Sequence, residues 1–219
     1  MKRREFSLTS ASVLAGSALV LSPIGSAHAQ AKAPVAGTDY LVLDKPVATD
    51  AAAGKVEVIE FFWYACPHCF AFEPALTAWV KKLPKNVAFR RVPVVFQDSF
   101  IPPQKLYYTL EAMGQLEAQH EKVFNAIHVE RQKLDKDNLV IDWAVKQGLD
   151  KAKFVETYNS FAVATKARKA AQLQEAYKVA GVPAMGVAGR FYTDGTLAKN
   201  MPRALQIVDY LVAEVRAGR

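Results

Sequence analysis

The sequence predicts an α/β fold in which a strand–helix–strand opening and a strand–strand–helix close are separated by an all-helical insertion. Three observations predict it. Residues 56–64, Val-Glu-Val-Ile-Glu-Phe-Phe-Trp-Tyr, form a dense β-branched and aromatic run that suits a strand buried on both faces. Residues 100–165 then carry apolar residues at helical spacing with no strand-like alternation. Short strand patterns return on either side of Gly189, ahead of an amphipathic C-terminal stretch.

The chain opens on a pattern that predicts export. Lys2, Arg3 and Arg4 form a positive start, Ala11 to Leu21 are small and apolar, and Ala27-His28-Ala29 is an A-x-A cleavage site. Residues 1–29 therefore read as a signal peptide cleaved after Ala29, with an uncleaved anchor as the alternative. The apolar run is too short to span a bilayer. Arg3-Arg4 before Glu5-Phe6 also resembles a twin-arginine signal, which leaves the export route open between the two machineries.

Residues 30–55 are rich in Ala, Pro and Gly, with a short strand candidate at residues 40–43, and predict a flexible N-terminus leading into the domain. A helix is expected to begin at Cys66 or Pro67, since proline suits the first helical turn. Phe70, Phe72, Leu76, Trp79 and Val80 supply its apolar stripe, and Pro84 marks its end. Residues 87–96 predict a second strand of the same sheet, with Pro93 suited to an edge or bulge.

In the insertion, Leu106, Leu110, Met113, Leu116, Val123, Phe124 and Ile127 recur at helical spacing. Leu139, Trp143 and Val145, then Phe154, Tyr158 and Phe161, continue in further short helices. Residues 166–180 predict one more helix, broken at Gly181-Val182-Pro183. Strands are expected at 184–188 and 190–193, and a final helix at 202–217 opened by Pro202. The expected organisation is a signal peptide (1–29), a first domain part (30–99), a helical insertion (100–165) and a second domain part (166–219). With the motif described next, this order matches a thioredoxin-like fold carrying an inserted all-helical domain.

The formal charge of +7 falls to +5 once residues 1–29, with three basic residues and one acid, are removed. That charge is spread out, which fits a solvated surface and argues against a nucleic-acid partner. Both cysteines, Cys66 and Cys69, lie in one four-residue motif. A structural staple gains more by closing a longer loop, and this pair closes almost nothing, so a stability role explains it badly.

Cys66-Pro67-His68-Cys69 follows a predicted buried strand and opens a helix. The thiolate is the reactive form of cysteine, and a helix N-terminus favours negative charge through its unpaired N–H groups and dipole. Cys66 is accordingly expected to be the exposed nucleophile and Cys69, one turn on, the covered resolving thiol. His68 can tune the thiolate, or it can be a plain solvent-exposed residue. Zinc would need two further ligands. The remaining candidates, His120 and His128, are eight residues apart, not the three or four that would set them as a pair on one helix face. Phe70 follows the motif where haem attachment would need His. Copper(I) on the two thiolates stays open. No bound metal or cofactor is expected, the Cys66–Cys69 disulfide itself being the redox group.

Glu60 stands in the buried run, where a carboxylate is costly unless paired. It lies either beneath the cysteines, able to relay a proton to Cys69, or at a strand edge facing water. Pro183 opens a strand after Gly-Val, where a cis bond would set the Val182 backbone beside the redox pair for an incoming extended peptide; a trans turn proline is the alternative.

At these residues the chain resembles the DsbA family of bacterial thiol:disulfide interchange proteins. Glu60-Phe61-Phe62 before Cys66-Pro67-His68-Cys69 is similar to that family's core signature, and Val182-Pro183-Ala184-Met185 to its cis-proline loop. The resemblance spans about residues 40–217. It implies Cys66 as the attacking cysteine, Cys69 as its partner, Pro67, His68 and Glu60 as thiolate-tuning residues, and Val182 and Pro183 as substrate-binding residues. It further implies a periplasmic, monomeric dithiol oxidase acting on unfolded exported proteins with free thiols. A DsbB-like quinone-linked membrane oxidase would regenerate it. The helical insertion would supply an apolar groove. Gly186 departs from the bulkier apolar residue usual in the family, and Ala188 from the Asn that often precedes the Gly. A disulfide isomerase or reductase is the nearest alternative, although only about 25 residues separate the expected cleavage site from the first core strand, too few for a dimerisation domain. A periplasmic copper-binding module is the alternative from another class.

Overall fold

The computed structural model describes residues 33–219. The expected signal peptide, residues 1–29, lies outside the described residues. Five strands form one sheet: β1 (Leu41–Val42), β2 (Val56–Phe62), β3 (Val87–Pro93), β4 (Ala184–Val187) and β5 (Phe191–Asp194), in the spatial order β1-β5-β4-β2-β3. Strands β2 and β3 are parallel, joined by helix α1 (Pro67–Val80). The β2–β4, β4–β5 and β1–β5 pairings are antiparallel. The mixed sheet with its βαβ and ββα halves is the thioredoxin-like arrangement expected from the sequence.

Strand β2 is buried along its whole length. Its alternation sorts the residues between two cores. Val56 and Val58 pack with Phe72 and Leu76 of α1 and with Leu205, Val208 and Leu211 of the last helix, α7 (Met201–Arg216). Ile59 and Phe61 face the other core, which holds the helical residues Leu106, Leu110, Phe124 and Trp143. Glu60 has the parity of Val58, so its carboxylate points into the layer that contains α1.

The helical segment comprises α2 (Ile101–Ala112), α3 (Leu116–His128), α4 (Asp137–Lys146), α5 (Lys151–Tyr158) and α6 (Phe161–Ala176). Helix α6 runs through residue 165, where the sequence suggested a domain boundary, and it replaces the helix expected at 166–180. Its start is fixed by Ser160, whose side chain accepts a hydrogen bond from the Val163 N–H. Two residues expected on apolar faces are exposed, Val145 at 41% and Phe161 at 78%; Phe161 opens α6 and lies under the Arg168 guanidinium, 5.5 Å from its ring centre.

Strand β3 is an edge strand and ends at Pro93, short of the expected Phe96. Beyond it the Gln174 side chain takes over both backbone groups of Val95, accepting from its N–H at 2.8 Å and donating to its carbonyl at 3.2 Å. Helix α1 runs through Pro74, at the loss of one helix hydrogen bond, and stops at Val80, before the expected Pro84. Among the described residues no helix is long and apolar enough to cross a membrane.

Candidate active site

The C-terminal end of β2 delivers the chain to Cys66, which caps α1. Its backbone is extended, its N–H donates to Trp63 O at 3.0 Å, and its sulfur accepts the Cys69 backbone N–H at 3.4 Å. A sulfur in the N-cap position replaces the usual capping oxygen and meets an N–H that the helix leaves unpaired. Pro67 occupies the first turn, where it forfeits no hydrogen bond.

The two thiols occupy opposite electrostatic environments. A hydrogen bond from the Cys69 side chain lowers the Cys66 thiol. Burial opposes this, while the Cys69 and His68 backbone N–H groups and the His68 side chain reinforce it, and the result is about 6. Burial above all, followed by Cys66 and Glu60, drives the Cys69 thiol far above its ordinary range. The sequence suggested an exposed Cys66. It is instead covered to 6% exposure, against 0% for Cys69, because the loop of Val182 closes over it. Cys66 Sγ donates to the Val182 carbonyl at 3.4 Å, and the Val182–Pro183 bond is cis. His68 is exposed.

Glu60 is 1% exposed, so the water-facing alternative does not hold. Its partner is Arg91, directly opposite in the β2–β3 register, whose Nε donates to Oε2 at 3.1 Å. Burial raises the Glu60 carboxyl to about 8; Arg91 offsets part of the rise, while Glu73 and Cys66 add to it. Arg91 also binds Glu73 of α1, which accepts from Thr77 Oγ1 at 2.8 Å and faces His120 Nε2 at 3.6 Å.

Arg91, Glu73, Tyr64, His120 and His128 escaped the sequence reading. Two signals were available. Arg91 is the second of two adjacent arginines in β3 and stands at the register position of Glu60, and Glu73 stands four residues after Cys69, on the same face of α1. The spacing of eight between the histidines is not that of an adjacent pair on a helix, yet eight residues make about 2.2 turns, so both reach Tyr64 from one side of α3. His120 Nδ1 lies 2.8 Å from the Tyr64 hydroxyl, and His128 Nε2 lies 2.8 Å from the Tyr64 carbonyl. The His128 ring also stacks on Phe70 at 4.7 Å.

Two cavities are lined by residues adjoining the cysteine motif in sequence or by the Val182–Pro183 loop. One, of about 470 Å³, is lined by His68, Val182, Pro183, Asp194, Lys199 and Asn200, and none of its lining comes from the helical segment. The other, of about 260 Å³, is more apolar and places Trp63 and Ala65 against Pro103, Ile127 and Leu134 of the helical segment. Among the described residues no group of three or more His, Cys, Asp or Glu side chains is placed to hold a metal ion.

The arrangement can exchange disulfides: a stabilised thiolate at a helix start, a buried thiol behind it, and a carboxyl of raised proton affinity beneath both. Comparison with known proteins agrees. The profile of a family described as DSBA-like thioredoxin domain matches residues 92–206. The thiol:disulfide interchange protein DsbA of Burkholderia cepacia is 43% identical over 192 residues, covering 88% of this chain and 91% of its own. That of Pseudomonas aeruginosa is 41% identical over 199 residues, covering 91% of this chain and 94% of its own. The crystal structure of Pseudomonas aeruginosa DsbA superposes with a TM-score of 0.80 at 42% identity, covering 84% of this chain and 96% of that one.

Proposed function

This chain belongs to the DsbA family of thiol:disulfide interchange proteins, and on that premise we propose that it is a protein-disulfide oxidoreductase that donates a Cys66–Cys69 disulfide to newly exported proteins. The observation that carries the reading is the asymmetric placement of the two thiols: Cys66 Sγ caps α1 and accepts the Cys69 N–H at 3.4 Å, whereas Cys69 is fully buried, so Cys66 is brought down to about 6 and Cys69 is pushed up. A stabilised Cys66 thiolate favours the reduced form of the pair, and a disulfide whose reduced form is favoured is an oxidant.

A substrate thiolate attacks Cys66 Sγ. The Cys66–Cys69 bond breaks, and its electron pair leaves on Cys69 Sγ, which takes up a proton. Glu60, with its raised proton affinity, is the donor we assign. A second substrate thiolate then attacks the substrate sulfur of the mixed disulfide, and Cys66 departs as thiolate. The substrate gains a disulfide, and the two electrons reside in the Cys66/Cys69 dithiol. Pro67 and His68 tune the thiolate in this reading. The backbone at Val182 and Pro183 offers an edge along which an extended peptide can lie.

The same reading places the protein in the periplasm, delivered by residues 1–29, and working as a monomer with no cofactor beyond its own disulfide. Its substrates are unfolded exported chains with free thiols, and a quinone-linked membrane oxidase of the DsbB kind returns it to the disulfide form. Residues 100–165 form the insertion between the two parts of the thioredoxin-like domain.

The test is direct transfer. Oxidised protein mixed with a reduced, unfolded two-cysteine polypeptide should yield one substrate disulfide per protein. Cys66→Ser should abolish transfer, and Cys69→Ser, loaded as a mixed disulfide, should lose intramolecular release. Failure of the wild-type protein to oxidise any such substrate would refute the reading.

A further inference from the structure

Arg91 holds two carboxylates, Glu60 through Nε at 3.1 Å and Glu73 through its terminal nitrogen. Both acids are buried, at 1% and 8% exposure, and Arg91 supplies a single positive charge. Two ionised carboxylates around one cation would leave an uncompensated buried charge, so the cluster is best served by one shared proton. The chemistry at Cys69 depends on which acid carries it.

The donors are divided unevenly. Among the hydrogen bonds of the described residues, the Glu60 side chain has Arg91 alone. Glu73 has Arg91, Thr77 Oγ1 at 2.8 Å and, facing Oε2 at 3.6 Å, His120 Nε2. Glu73 Oε2 and His120 Nε2 are sealed from solvent and face each other at 3.6 Å, and neither has a hydrogen-bond partner. The Tyr64 hydroxyl can donate or accept at Nδ1, so the facing Glu73 carboxylate selects the tautomer. A Tyr64 hydroxyl donating to Nδ1 at 2.8 Å leaves the ring proton on Nε2, aimed at the carboxylate, whereas the other tautomer would set a lone pair against it.

We infer that His120 is a positioning residue which, acting through Glu73 and Arg91, keeps the shared proton of this cluster on Glu60, beneath Cys69. Glu73 is the better-supplied anion, so Glu60 is left as the acid. The directions of proton affinity agree. Burial would raise Glu73, but His120, Arg91 and Thr77 hold it below its usual range, while Glu60 stands at about 8. His120 itself is kept neutral by burial. The titratable and charged groups around it are Glu73 of α1, Tyr64 of the β2–α1 loop, Arg91 of β3, Tyr107 of α2 and Glu117 of its own helix. The ring is further enclosed by Phe62 and Phe124, each edge-on.

This inference rests on Glu60 serving Cys69, but its test reads the carboxyls themselves. In the reduced, purified protein, carbon-13 NMR should show Glu60 titrating near 8 and Glu73 below the ordinary carboxylate range. His120→Phe keeps a ring and removes both nitrogens. It should lower the Glu60 midpoint by about one pH unit and raise that of Glu73. His120→Gln, whose amide can donate to the same oxygen, should restore both. If His120→Phe does not fold, Thr77→Val removes the other neutral donor to Glu73 and should shift both midpoints in the same directions. Unchanged midpoints in a folded His120→Phe or Thr77→Val protein would overturn the inference. So would a shift that His120→Gln fails to reverse, which would assign the effect to packing. Loss of disulfide transfer by the wild-type protein would instead overturn the oxidase reading, so the two failures are distinguishable.

Discussion

The ring of Tyr177 fills the space into which a side chain at Gly186 would grow: a Cβ there would stand 2.5 Å from Tyr177 Cε1. Tyr177 is 2% exposed and packs on Phe61 with ring centres 5.1 Å apart, so it cannot swing aside. The glycine is thus matched by a large neighbour. Gly186→Ala should destabilise the protein by about 1–3 kcal/mol, the usual cost of overpacking a filled core. Tyr177→Leu clears the space, and the double variant should lose less than the sum of the single losses in denaturant melts. Strict additivity would contradict the contact.

A second prediction concerns the stability of the reduced protein with pH. The Cys66 thiol is lowered from an ordinary value of about 8.5 to about 6. A depressed acid stabilises the fold above its unfolded value and loses that contribution as pH falls through its folded value. The stability of the reduced form relative to the oxidised form should therefore rise with pH from about 6 to about 8.5. Its slope should be at most about 1.4 kcal/mol per pH unit, and it should be flat below that window. Paired denaturant melts across that range check it; a flat difference throughout would mean an ordinary thiol.

A third prediction concerns Glu60. When Cys69 attacks the mixed disulfide of Cys66 with a single-cysteine peptide, its thiol proton must leave, the Cys69–Cys66 bond forms and the peptide departs as thiolate. Glu60→Gln removes the group we assign as acceptor of that proton, which is ionised above its value of about 8, so this release should slow by roughly tenfold or more above that pH. The initial attack of peptide on Cys66 should change little. Stopped-flow measurement of each step separates them, and equal effects on both would remove Glu60 from the proton path.

Much of this architecture was legible in the chain. The run of residues 56–64 suits a strand covered on both sides, and all seven residues of β2 are buried. The Cys66 motif, with Pro67 in the first turn, announced a helix start that α1 provides. What was not legible depends on distant segments. Cys66 is covered because the Val182 loop, 116 residues later, lies on its sulfur. His120 matters because α3 packs beside α1, and no local pattern marks the ring that faces Glu73. The extension of α6 to Phe161 turned on one cap, Ser160, in a segment whose apolar spacing suggested separate short helices.

If Cys66 and Cys69 form an oxidising couple because one thiolate is stabilised at the start of α1, the reduction potential of the pair as a function of pH reads it. Equilibration against glutathione, with both states quantified by thiol alkylation, supplies it. A two-electron couple shifts by about 30 mV per pH unit for each proton taken up on reduction. A stabilised Cys66 thiolate should give a potential above about −180 mV at neutral pH. It should also give a slope of about 60 mV per pH unit that halves to about 30 mV as pH rises past the Cys66 value of about 6. A potential below about −250 mV, with the steeper slope unbroken through pH 8, would contradict it.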